Sequence, residues 1–197
     1  MRLVLAGLLV ATSTAHAHIA LTYPTARTTT DLKEGPCGKA GSTRGANATT
    51  FQPGETITVE WDETVDHPGH YRIAFDDAGD DAFQNPINPD DNFASTMVDQ
   101  IADKSGGHYT QQLTLPTTPC TTCTLQLMQI MTTAVPYNSF YYQCADLTLE
   151  GEPIAPGSVD GGCSAGTGAG PGMLGVLGVL VWRRRRRAGG RQCGSSG

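Results

Sequence analysis

Apolar residues at every second position, in short runs divided by turn signals, set the tightest limit on what this chain can form. In ETITVEW the residues Ile57, Val59 and Trp61 share one face, and in YRIAF Tyr71, Ile73 and Phe75 do the same. HYTQQLTLP, CTLQLMQIM and SFYYQCADLTLEG have similar character. A period of two marks half-buried strands, because successive side chains of an extended backbone point to opposite faces. PGET, HPGH and LPTTP divide the runs with residues suited to turns. Helical periodicity is almost absent, and the pattern predicts an all-β fold, an antiparallel β-sandwich of immunoglobulin-like or fibronectin-like type. The stretch DDAGDDAFQNPINPDDNF is polar and irregular. It lacks the alternate ligands, central Gly and distal Glu of an EF-hand, and reads as a solvated loop.

The two ends have a different character. Arg2, the apolar run LVLAGLLVA and the small residues TSTAHA form a signal peptide over 1–17, with an Ala-x-Ala cleavage site at Ala15 and Ala17. A cut after Ala17 exposes His18, and a cut after Ala15 exposes His16. At the far end, 153–170 is a Gly/Pro-rich linker containing Cys163, and 171–187 joins a short apolar segment to the arginines Arg183–Arg187. That segment falls short of the roughly 20 residues of a helical span, and its basic end favours the cytoplasmic side. It resembles the C-terminal sorting tail of myxobacterial surface proteins, with Cys163 in the place of their cysteine. Residues 188–197 have no assignment. One domain remains, 18–152, long enough for a single core. The expectation is a protein secreted or anchored at the cell surface, touching membrane only through its tail.

Charge narrows the partners. Between His18 and Asp160 there are six Lys/Arg and nineteen Asp/Glu, a net of −13. A domain so acidic is a poor partner for nucleic acid or anionic surfaces, and suits neutral polymers and cations. Within it lie Cys37, Cys120, Cys123 and Cys144. An even number in an oxidising compartment predicts two disulfides, with three connectivities open. CTTC also has zinc or redox spacing, but no second such pair is present and strand-like sequence follows, so a structural disulfide is expected.

A mature N-terminal histidine offers two nitrogens from one residue, its α-amine and ring Nδ1, which close a six-membered chelate on a metal. A second histidine completes a planar set of three nitrogens. That set suits Cu(II), which favours tetragonal nitrogen coordination and stands highest in the divalent affinity order. The α-amine also loses its proton more readily than lysine does.

HIALTYPTAR places His18, Pro24 and Arg27 in an H-x5-P-x2-R arrangement that resembles the mature start of lytic polysaccharide monooxygenases, especially the bacterial chitin- and cellulose-active ones. This match selects the cut before His18. SFYYQCADL is similar to the last-strand motif of the fungal cellulose-active enzymes, and CTTCTLQLMQ to the strand before it. The resemblance implies one copper ion held by His18 and a second histidine, with Tyr141 as the axial and catalytic aromatic. His67 and His70 in VDHPGHYRIAF both qualify as that second ligand. His67 is favoured for its Pro-Gly context, with His70 the alternative. His108 reads as a surface histidine at a strand start, Trp61 as core, and Arg27 as a structural residue that holds the N-terminal segment down.

The implied activity is oxidative cleavage of a polysaccharide, whether chitin, cellulose or another glycan, by C–H abstraction at a glycosidic carbon with an external electron donor. Ser139 stands where the fungal motif has Gln or Glu, and no row of exposed aromatics is visible. Both departures favour an alternative, a non-catalytic surface protein that captures or stores copper. A structural adhesion domain is the third reading.

Overall fold

The computed structural model describes residues 19–30 and 32–154, and all of its regular structure is β. The strands are β1 (Ile19–Tyr23), β2 (Thr49–Phe51), β3 (Thr56–Glu63), β4 (Gly69–Asp76), β5 (Thr96–Ala102), β6 (Gly107–Thr114), β7 (Cys120–Met131) and β8 (Phe140–Leu149). They form a three-stranded sheet ordered β1-β3-β6 and a five-stranded sheet ordered β2-β8-β7-β4-β5. The sandwich predicted from the alternation is therefore present. One pair, β2 with β8, is parallel, whereas every other strand pair is antiparallel. Signal peptide, His18, Cys163 and the tail segments lie outside the described residues.

In β3 the alternation holds through the whole strand: Ile57, Val59, Trp61 and Glu63 are buried, and the residues between them are partly exposed. Their partners across the core are Tyr71, Ile73 and Phe75 of β4, Leu125 and Leu127 of β7, and Ala145, Leu147 and Leu149 of β8. Each fully buried large side chain contributes about 1.5–3 kcal/mol of transfer free energy. Trp61, Tyr71 and Tyr109 pack together at its centre, with ring centroids 4.9–5.3 Å apart.

The expected alternation fails in β4, where every residue from His70 to Asp76 is buried. The outer face of the five-stranded sheet is covered too, by loops rather than by a third sheet. There Met128, Ile130, Tyr137 and Tyr142 form a second, smaller apolar cluster. The chain leaving β1 crosses to the first part of β8, which β2 leaves unpaired, where Arg27 N–H donates to Cys144 O at 2.7 Å and Leu32 O accepts from Tyr142 N–H at 2.9 Å. Cys37 and Cys144 then form a disulfide on the outer face, and Cys120 and Cys123 close a second one. Arg27 does hold this segment down: its buried guanidinium pairs with Asp146 and Asp80, each at 2.6 Å. Burial alone would lower its pKa, but these two carboxylates raise it.

Near the C-terminal end of the described residues, Ile154 N–H donates to Pro53 O at 2.8 Å. Gly54 lies beneath it with φ +78°, and a Cβ there would stand 2.7 Å from Ile154 O. Only glycine allows so close an approach with that backbone.

Candidate metal centre

Three chain segments meet at one end of the sandwich. β1 opens opposite the end of β3, with Ile19 paired to Glu63. The β3–β4 turn carries His67, and the β7–β8 turn leads into Tyr141. Backbone bonds fix the two turns: Thr132 N–H donates to Pro68 O, and Met131 N–H to Ser139 O, each at 3.0 Å. The glycine in HPG is required by packing, since a Cβ on Gly69 would lie 2.4 Å from Ile130 O.

The His67 and Tyr141 rings lie side by side, with centroids 6.2 Å apart and planes 8° from parallel. They share an open cleft of about 170 Å³ with Met131, Thr133 and Ser139. His70 goes elsewhere. Its side chain lies on the outer face of the five-stranded sheet, 6.0 Å from the Tyr137 ring and 3.7 Å from Asp99. Successive residues of a strand alternate faces, so His70 and the inward Tyr71 cannot serve one site. Burial lowers the His70 pKa, Asp99 opposes that shift, and Arg72 adds to it. Of the two histidines weighed from sequence, the structure brings His67, and not His70, to Tyr141. His108 is exposed at the start of β6, its Nδ1 2.9 Å from Asp62 Oδ1.

Beneath the cleft the core turns polar. Glu63 continues the inward row of β3 as a carboxylate only 5% exposed. Its Oε1 accepts from Gln129 Nε2 at 2.8 Å, and its Oε2 accepts from Gly106 N–H at 2.7 Å. The Tyr109 hydroxyl lies 2.9 Å from both Glu63 Oε2 and Asp103 Oδ1, and donates to one at a time. Gln129 also reaches the Tyr71 hydroxyl, at 3.3 Å. Burial pushes Tyr109 to about 12 and Tyr71 higher still, the charge of Glu63 adding to the Tyr71 shift. Both phenols are neutral donors over the physiological range. Carboxylate oxygens of Glu63, Asp66 and Asp103 come within 4.8 Å of one another, which gives this end a negative field.

Sequence reasoning missed Lys33. Its Nζ lies 3.6 Å from the Tyr141 ring centroid and 3.0 Å from Ser139 Oγ. The cause is local: Leu32 is buried and its carbonyl is bound to Tyr142 N–H, so the next side chain falls over Tyr141. Loss of hydration lowers the Lys33 pKa. Glu63, by contrast, could have been found, because it falls in register with Ile57, Val59 and Trp61.

Residues 16–168 match the family described as copper acquisition factor BIM1-like. The chain belongs to that family. No curated protein matches it. Among solved structures, this BIM1-like chain is similar to a lytic polysaccharide monooxygenase of the AA15 class from Thermobia domestica in its Cu(I) state. That likeness has 18% identity and a TM-score of 0.43, covering 67% of this chain and 98% of the other. The polysaccharide monooxygenase CBM33, studied by X-ray photoreduction, gives 13% identity and a TM-score of 0.44, over 68% of this chain and 100% of that one. A cellulose-active polysaccharide monooxygenase from M. thermophila gives 15% and 0.39, over 62% and 63%. Likenesses so distant carry no activity across to the BIM1-like chain.

Proposed function

We propose that this chain is an exported copper-acquisition protein that holds one copper ion between His67 and the amine and imidazole of His18, with Tyr141 beside the ion. The observation that carries this reading is the parallel packing of His67 on Tyr141 in an open cleft, at the end of the sandwich where β1 begins. The donor chemistry fits: imidazole and amine nitrogens with a neutral phenol favour copper over the harder cations that seek carboxylates. Copper, when bound, supplies a one-electron couple. The chain supplies the rest: the two tied turns hold His67 in place, Gln129 and the tyrosines anchor Glu63 beneath, and the carboxylates attract a cation.

A second reading is oxidation of a polysaccharide such as chitin or cellulose, with an external electron donor. The place of Tyr141 beside His67 favours it. Against it stand Ser139 in place of a Gln or Glu, and the exposed side chains of the two turns, Val65 and Val135, which offer no aromatic platform for a sugar ring.

The test is copper titration of the processed protein followed by electron paramagnetic resonance. One tightly bound axial Cu(II) with nitrogen ligands is expected, lost when a residue is added before His18 and in His67→Ala, and kept in His70→Ala. Binding indifferent to the added residue and to His67→Ala would remove the site. Incubation of the loaded protein with chitin or cellulose, a reductant and peroxide separates the two readings: oxidised oligosaccharides establish the second, and their absence with copper bound supports the first.

A further inference from the structure

We propose that Lys33 is a positioning residue of this centre, whose ammonium shifts the preference of the bound ion from Cu(II) toward Cu(I). The inference rests on the copper reading above and concerns how the site holds the two oxidation states. Lys33 Nζ sits over the Tyr141 ring, 3.6 Å from its centroid, and donates to Ser139 Oγ at 3.0 Å. Both Tyr141 and Ser139 line the cleft that holds His67. A fixed positive charge beside a metal raises the energy of the more highly charged state, and it does so more strongly where water is partly excluded. A cation over the face of a phenol also draws on the ring's electron density, which makes Tyr141 a poorer donor to Cu(II). Glu63, Asp66 and Asp103 act in the opposite sense, favouring Cu(II), so the Lys33 contribution is read as a difference between variants. Ser139 gains a meaning here: its small hydroxyl accepts from the ammonium and leaves the charge close to the cleft.

The experiment uses the processed full chain, with Cu(II) and Cu(I) affinities measured by chelator competition, the latter without oxygen, and the midpoint potential by redox titration. Lys33→Gln and Lys33→Met are expected to raise the Cu(II) to Cu(I) affinity ratio about tenfold, a fall of ~59 mV in potential for one electron. Lys33→Arg, which keeps the charge, is expected to restore the wild-type ratio. An unchanged ratio with one copper bound in every variant overturns the role of Lys33 and leaves the copper site intact. Loss of copper in Lys33→Gln and Lys33→Arg alike assigns Lys33 to structural support and overturns the proposal. No copper binding by the wild type overturns both this inference and the reading it rests on.

Discussion

The two faces of the five-stranded sheet are buried by different means. The inner face meets the three-stranded sheet through apolar side chains at alternate positions, and turns polar at Glu63, Gln129 and the two tyrosine hydroxyls next to the cleft and at Gln143, which accepts from Leu21 N–H and donates to Thr28 O. Loops cover the outer face, and charge and covalent links hold them there: Arg27 with Asp146 and Asp80, Arg72 with the Asp91 carbonyl, and Cys37 with Cys144. Apolar burial is tolerant of partner identity, since any well-shaped hydrocarbon serves. The charged face is not, because each buried ion depends on one particular partner. The His67–Tyr141 cleft lies at the end of the tolerant face, whereas the segment that delivers Lys33 to it is pinned by the exacting one.

The comparison is broken most severely at the disulfides. Cys37–Cys144 spans 107 residues of sequence and Cys120–Cys123 only three. On loop-closure entropy the first contributes about 5 kcal/mol and the second about 2. Replacing each pair by alanine and unfolding in denaturant is expected to show that gap, and equal losses would mean that loop entropy does not govern the outer face. Asp146→Asn leaves Arg27 and the Gly45 N–H without the charge they bind, and is expected to cost about 3 kcal/mol. A loss below 1 kcal/mol would show that Asp80 alone suffices. The smallest effect concerns pH. His70 has a folded pKa below its unfolded 6.5, so the unfolded chain takes up the proton first, and stability, full above that value, declines as pH falls through it. Melting temperatures of metal-free protein should drop on acidification, less in His70→Gln than in wild type. Identical slopes would remove burial of His70 as the cause.

The same contrast explains what could be read from the chain. β3 was legible to its last residue, because one face meets the core and the other meets water. β4 gave only half of its pattern: Tyr71, Ile73 and Phe75 point inward as read, but His70, Arg72 and Asp76 lie under loops whose covering residues are distant in sequence. β5, with Asp99 and Gln100, carried no strand signal, and it forms at the sheet edge where Asp99 answers Arg72 at 2.5 Å. The HPG turn and the last-strand aromatic pair marked His67 and Tyr141. Lys33 left no trace, because its place depends on a backbone bond from Leu32 to Tyr142, which no local pattern records.

The clamp of Ile154 on the Pro53–Gly54 turn fixes where the described chain ends on the sandwich. That turn precedes Thr56, the end of β3 away from Glu63, and eight strand residues separate the two ends, a span of roughly 25 Å. Ile154, the last of the described residues, therefore lies at the pole opposite His67. The clamp and the His67–Tyr141 cleft are thus joined through the length of the sandwich, and a change at one reaches the other through the whole run of β3.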